Sequence, residues 1–409
     1  MTEKRPKRTK LYLAKGTEAP WYTPQKLTDE ERQIFRIRSR QSQLASLAAK
    51  RGVGPRSVHP IYPPRLNPAA LMPSIDDNGL SALSLFSGGG GLDLGFLRAG
   101  FRHIASYEIL DFAAETLKTN HPDWQVHGGP DGDVTEVDWR TLRGDVDVVH
   151  GGPPCQPFST AGRQRGDHDA RDMFPEFVRA VLQIEPRAFV AENVLGLKSK
   201  KFSDYIAKTV IDPLAHLYEI RQFVIHAASF GVPQHRRRIF VIGTHRHRVR
   251  RAMEEPYATH DWSRYASNRR GGSKQLDLLS SGGDPTMGTR EALGLPDIGL
   301  DELAPTIRCS LTGPRSTTSI LSSTAALRVW HKLQIWPNGV AASKEAAKNY
   351  PAKNDHYRLS VEDCAILQGF PSYWKFSGPV YKVLGQIGNS VAPPVAYNVA
   401  KRLAEIIAG

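Results

Sequence analysis

The stretch from Ala82 to Tyr107 constrains the fold more than any other part of the chain. Ala82–Phe86, ALSLF, is a short apolar run with the length and composition of a buried strand. It passes without a spacer into SGGGGLDLGFLRAGF, where consecutive glycines permit a tight turn and a helix opens. A second run, His103–Tyr107, comes one helix later. Strand, glycine-rich turn, helix and strand in this order open a Rossmann-like α/β sheet, whose chemistry sits at the carboxyl ends of the parallel strands. The dinucleotide fingerprint G-x-G-x-x-G is met at Gly88 and Gly90 but has Asp93 at its last position, which weakens a nicotinamide-cofactor reading.

Three further runs extend the pattern. Asp145–Ser159 reads DVDVVHGGPPCQPFS. Val146–Val149 has the character of a buried strand, and it halts at Gly151, Gly152, Pro153 and Pro154. Two glycines allow a sharp bend and two prolines stiffen the loop after it, so Cys155 is carried on a rigid tip. A thiol there is better placed for nucleophilic attack than for core packing. Arg187–Val194, RAFVAENV, repeats the design with Glu192 at the carboxyl end of the apolar run Ala188–Ala191. Phe223–Ser229 reads as a strand and leads into FGVPQHRRRIFVIG, in which alternation puts Arg236 and Arg238 on one side and Arg237 on the other.

The bulk properties narrow the function. A chain of 409 residues with net charge +13 and pI near 9.6 has room for two or three domains and favours a polyanionic partner, nucleic acid first. Its three cysteines, Cys155, Cys309 and Cys364, form no CxxC pair, which argues against a disulfide framework and a zinc site and suits a reducing cytoplasm. A zinc deaminase needs P-C-x-x-C, and Phe158 stands where its second cysteine belongs. No apolar run is long enough for a membrane span, and the N-terminus has no apolar signal-like segment.

GPPCQPFS resembles the nucleophile loop of the DNA (cytosine-5)-methyltransferases, and FSGGGGLDLG resembles the first motif of methyltransferases that use S-adenosyl-L-methionine (AdoMet). The resemblance continues in order through ENV at Glu192, QxRxR at Gln234–Arg238, a segment from Arg358 to Gln368, and Gln386–Val391. It implies a Rossmann-like AdoMet-dependent methyltransferase sheet with a smaller target-recognition domain. It also implies Cys155 as nucleophile, Glu192 acting at cytosine N3, and Arg236 and Arg238 stabilising a flipped-out base. Glu108, twenty residues after Gly88, is expected on the cofactor ribose, Asp133 on the adenine amino group, and Ile109 and Val134 against the ring. Phe86, Ser87, Gly88, Gly90, Gly91 and Pro154 are expected around the cofactor, the glycines because a Cβ would collide with it. Asn389, Ser390 and Val391 complete that pocket from the far end of the chain. The product is S-adenosyl-L-homocysteine, and no metal is needed.

The expected organisation is a basic N-terminal extension and linker over 1–79, the AdoMet-binding and catalytic domain over 80–250, a target-recognition domain over 251–355, and a closing segment over 356–409. In the extension, Lys and Arg outnumber Asp and Glu 15 to 7, which suits a phosphate-contacting arm. A helix is expected from Thr28 to about Lys50 and an extended, proline-rich linker over Val53–Pro73. Gln156, Ser159, Arg308 and Arg315 are candidate DNA contacts. The substrate expected is double-stranded DNA, the protein a cytoplasmic monomer in a restriction-modification setting with a cognate endonuclease. A tRNA cytosine-5 methyltransferase and a catalytically silent DNA-binding protein of the same fold are the alternatives.

Overall fold

A computed structural model describes residues 59–154, 172–266, 283–308, 318–348 and 356–409, together with scattered helical positions from Asp29 to Ala48. The centre is a seven-stranded sheet. Its strands are β1 (Ser81–Leu85), β2 (Arg102–Glu108), β3 (Val126–Gly128), β4 (Val148–Gly151), β5 (Ala188–Val194), β6 (Tyr218–His226) and β8 (Arg237–His245), in the order β3-β2-β1-β4-β5-β8-β6. All neighbours are parallel except β8, which runs antiparallel to both β5 and β6. The strand order reverses between β1 and β4, so the loops leaving these two strands flank the crevice where α/β sheets bind ligands.

Several strand limits differ from the sequence expectation. β1 ends at Leu85, because Phe86 turns into the left-handed region at φ 57°. β4 begins at Val148 and continues through His150 to Gly151. β5 runs past Glu192 to Val194, since β8 supplies partners up to Val194–Arg238. β6 stops at His226, where the chain enters a 3-10 turn over Ala227–Phe230.

Helix α1 (Gly91–Arg98) joins β1 to β2, helix α2 (Asp111–Asn120) joins β2 to β3, and helix α3 (Phe174–Ile184) precedes β5. Period-2 alternation divides the sheet into two apolar faces. Leu83, Leu85, Val149, Phe189, Ala191 and Val241 face α3, which brings Phe174, Phe177, Val181 and Ile184. Ala82, Val148, Val190, Phe240 and Ile242 face the other way, toward α1. That second face is finished by the end of the chain, where helix α6 (Val380–Asn389) precedes helix α7 (Pro393–Ala408) and α7 lies along α1. The two helices touch so closely that a Cβ at Gly95 would come within 2.4 Å of the Ala396 Cβ. The C-terminal helix thus packs on the helix that follows β1.

Beyond the sheet the described residues form mostly short elements. Strands β7 (Gln234–His235), β9 (His260–Asp261), β10 (Asp284–Pro285) and β11 (Ala304–Pro305) are two residues each, and β7 pairs with β11, β9 with β10. Longer elements are helix α4 (Thr324–Lys332) and the pair β12 (Ile335–Ala341) and β13 (Tyr357–Ser360). The next helix, α5 (Val361–Gln368), carries the expected capping box between Ser360 and Asp363. Trp330, Leu333, Ile335 and Val340 join the same continuous core as α1 and α7.

The proline-rich segment before β1 was expected to be a linker, yet residues 59–79 are packed as a strap. Its amides at Arg65 and Leu66 donate to the Ala292 carbonyl, and Lys344 Nζ donates to the Tyr62 carbonyl. Tyr62 and His59 pack on the Tyr357 ring. At the other end Leu66 and Met72 are buried, Arg98 Nε donates to the Met72 carbonyl, and the Asn78 amide donates to the Gly100 carbonyl. Local composition does not reveal such contacts, because every partner is distant in sequence.

Candidate active site

At the carboxyl end of β1 the chain makes its glycine-rich turn. Phe86 and Gly88 both have φ 57°, and Gly90 has φ 81°. Glu108, at the end of β2, is buried, and its carboxylate spans this turn: Oε2 accepts from the Gly88 amide at 2.6 Å and Oε1 from the Leu110 amide at 2.8 Å. Burial pushes the Glu108 carboxyl up, with the two amides working against that rise and the nearby Asp93 adding to it.

The glycines divide into two kinds. A Cβ at Gly88 would meet nothing closer than the Phe86 carbonyl at 4.0 Å, so this residue borders open space. Gly90 and Gly91, also expected around the cofactor, are buried, and their Cβ directions point into protein. A Cβ at Gly90 would collide with Trp374 and Leu117, and one at Gly91 would lie 2.1 Å from the Val391 carbonyl. Their bareness is needed for the C-terminal segment to close on the turn. Trp374, which carried no signal in the sequence, also donates from Nε1 to the Gly89 carbonyl.

Phe86, Ser87, Ile109 and Asp133 are partly exposed, and Val134 is buried. Asp133 Oδ1 caps a 3-10 turn by accepting from the Thr135 amide and hydroxyl. Asn389 is exposed, whereas Ser390 and Val391 are buried; Ser390 Oγ donates to the Gln386 carbonyl and lies where a Cβ on Gly89 would be. Buried acceptors, a cradle at Gly88 and an acid at the end of β2 suit a nucleoside-bearing cofactor such as AdoMet.

One strand over, β4 delivers Gly151–Pro154. A Cβ at Gly151 would lie 2.4 Å from the Leu85 carbonyl, so the bend requires glycine. Asn193 Nδ2 donates to the Pro153 carbonyl at 3.0 Å, pinning the loop that leads to Cys155. Cys155, Gln156, Ser159 and Arg315 lie outside the described residues. Pro154, partly exposed, is the last described position before the cysteine.

Glu192 projects beside this loop, with Oε2 3.4 Å from a Cβ built on Gly152. It is 6% exposed and ion-paired through Oε1 to Arg238 Nε at 3.0 Å. Burial raises the Glu192 carboxyl, and the Arg238 and Arg236 guanidiniums oppose that rise without cancelling it. A carboxyl so placed can hold a proton and offer it as a hydrogen-bond donor.

The two arginines of the QxRxR motif, expected to do one job, are set to different ones. Arg236, Arg238 and Phe240 do share one side and line a small cavity with Val391. Arg236, however, is 1% exposed, and its Nη2 donates to the carbonyls of Gly388 at 2.9 Å and Ser390 at 2.6 Å. It ties β8 to the end of α6. Gln234 is likewise buried, donating to the Leu367 carbonyl and to Gln368 Oε1 while accepting from the Ile307 amide. Gln368 Nε2 donates in turn to the Ser390 carbonyl. Sequence alternation located the shared side but could not show that the C-terminal segment covers half of it. Arg308 is exposed, as a DNA contact would require.

The family model for C-5 cytosine-specific DNA methylases matches residues 80–405. Among curated proteins, the chain is similar to the type II methyltransferase M.NgoMIV of Neisseria gonorrhoeae. The two are 32% identical over 339 residues, 79% of this chain and 96% of the relative. It is also 31% identical over 349 residues to the type II methyltransferase M.FnuDI of Fusobacterium nucleatum, covering 80% and 95% of the two chains. Among solved structures, a protein assigned as a DNA modification methyltransferase within an E. coli prophage shares the fold. Its TM-score is 0.54 at 24% identity, over 81% of this chain and all of that one.

Proposed function

This chain belongs to the family of C-5 cytosine-specific DNA methylases, and on that premise we propose that it methylates C5 of a flipped-out cytosine in double-stranded DNA. The observation that carries the reading is the buried Glu192–Arg238 pair beside the loop that leads to Cys155, on the strand next to β4.

Cytosine C5 is a poor nucleophile. Attack of the Cys155 thiolate forms an S–C6 bond and drives the ring electrons toward C5 and N3. Glu192, protonated, bonds N3 and stabilises that shift, while Arg238 fixes the carboxyl and supplies positive charge near the base. C5 then forms a bond to the methyl carbon that bound AdoMet would supply, the sulfonium–methyl bond breaking to give S-adenosyl-L-homocysteine. Loss of the C5 proton to a base then returns the electron pair to the ring, and the C6–S bond breaks to release the thiolate. Glu108, Asp133, Val134, Ile109 and the Phe86–Gly88 turn are the residues that would hold the cofactor. Arg236 acts by positioning Gly388–Ser390. Residues 251–355 would read the target site, with Gln156, Ser159, Arg308 and Arg315 as contacts. The similarity to type II methyltransferases supports a bacterial cytoplasmic setting and a cognate endonuclease for the same site.

The test is methyl transfer from labelled AdoMet to plasmid DNA and to bulk tRNA, with Cys155→Ala in parallel. Label in DNA that the variant loses by about 10³-fold or more is expected, and bisulfite sequencing then reads the site. Label confined to tRNA would transfer the assignment to RNA. No label in either would favour a silent DNA-binding protein.

A further inference from the structure

Asp93 takes no part in the chemistry above, yet it is 2% exposed in the first turn of α1, facing the sheet. Beneath it runs one cross-strand row. Ser106 on β2, Ser84 on β1 and His150 on β4 are register partners, all at most 1% exposed and all on the α1 side. Ser106 Oγ donates to Asp93 Oδ1 at 2.8 Å and meets His103 Nε2 at 2.7 Å. The His103 ring is stacked on Trp124 at 3.9 Å. Ser84 Oγ meets Ser87 Oγ, in the glycine-rich turn, at 2.7 Å. Asp93 Oδ2 is buried with no hydrogen-bond partner among the described residues. Burial pushes the Asp93 carboxyl up, and the hydroxyls of Ser84, Ser106 and Ser87 work against it.

A carboxyl buried to this degree is expensive, and an apolar side chain would stand there at less cost. What the row holds is a strained turn. Phe86 sits at φ 57°, a conformation a residue with a Cβ keeps only where its surroundings over-determine it. The same end of β1 touches the nucleophile strand, since Leu85 is the register partner of Gly151 and its carbonyl crowds that glycine.

We propose that Asp93 is a positioning residue: through its bond to Ser106, the register partner of Ser84, whose hydroxyl in turn meets that of Ser87, it holds the glycine-rich turn in its cofactor-receiving form, and the row from Ser84 to His150 keeps that turn in register with the strand bearing the nucleophile loop. This role rests on the cofactor reading given above.

The experiment is calorimetric titration of AdoMet into the full chain and its Asp93→Ala, Asp93→Asn and Ser84→Ala variants. Filter binding of linear plasmid DNA without cofactor and thermal melting run alongside. Asp93→Ala is expected to raise the AdoMet Kd about tenfold or more while DNA affinity stays within about twofold. Asp93→Asn, of the same shape and able to hydrogen-bond, should remain within about threefold of wild type, and Ser84→Ala should fall between. An unchanged AdoMet Kd in Asp93→Ala overturns the proposal, as does a parallel loss of DNA affinity, which marks a general structural role. If Asp93→Ala does not fold, an unchanged Kd in Ser84→Ala decides against it. Failure of the wild-type protein to bind AdoMet would overturn the cofactor reading instead.

Discussion

Around the glycine-rich turn, backbone lies against backbone: Gly89 and Gly91 admit Ser390 and Val391, and Gly95 admits Ala396. In residues 283–308 the chain is held by polar side chains reaching to backbone. Arg290 Nη1 donates to the Leu333 carbonyl, and its Nε and Nη2 donate to the Pro296 carbonyl. Asp301 accepts from the amides of Arg290, Glu291 and Glu302, each at 2.9 Å. Close packing preserves one geometry to fractions of an ångström, as a methyl-transfer site requires. Polar pins hold a path without needing regular strands, which leaves the loops between them free to differ in sequence.

The comparison breaks most sharply at the two arginines. Arg238→Ala should lower kcat by about 10²–10³-fold with little change in Tm, since its partner Glu192 can take up a proton. Arg236→Ala should cost about 3 kcal/mol or more in stability, because a large buried side chain is removed, the Gly388 carbonyl loses its donor and the Ser390 carbonyl keeps only that from Gln368. Activity assays and melting curves on both variants check this, and equal losses of Tm would erase the division of labour. Next in size, Asp301→Ala should remove about 2–3 kcal/mol of local stability by leaving three amides without their acceptor. DNA affinity should fall while the AdoMet Kd holds, and a matching loss of AdoMet affinity would show that the two regions are not separately built.

The effect smallest at neutral pH is that of the buried histidines. His150, stacked on Phe96, and His103 are lowered by burial from 6.5 to about 3 and about 4. The unfolded chain then binds more protons than the folded one below pH 6.5. Their contribution is present above that value and is lost as the pH falls toward 4 and 3. His150→Phe should flatten the acid limb of a Tm-against-pH curve. An unaltered limb would place the acid sensitivity elsewhere.

Four strands of the sheet were legible because a chemical marker stands at or near the end of each: the glycines after Leu85, Glu108, the Gly-Gly-Pro-Pro that closes β4, and Glu192 shortly before the end of β5. The capping box at Ser360 and Asp363 was legible for the same reason, as a local pairing with a local signal. Three features were not. Arg236 is buried by Gly388–Ser390, which lie more than 150 residues away. The strap over 59–79 reads as a linker because its partners, from Ala292 to Tyr357, are equally remote. The two-residue strands β7, β9, β10 and β11 are too short to show any period.

The contact between α1 and α7 has a consequence for how the protein is made. Nearly 300 residues separate Arg98 from Pro393. At about 5–20 residues per second, a ribosome needs on the order of 15–60 s to bridge that interval. For that time the face of α1 holding Gly95 lacks its cover, and the strap waits for Ala292 and Tyr357. The nascent chain is therefore exposed to aggregation and proteolysis until α7 emerges, and a nonsense mutation even near residue 390 leaves α1 without its cover.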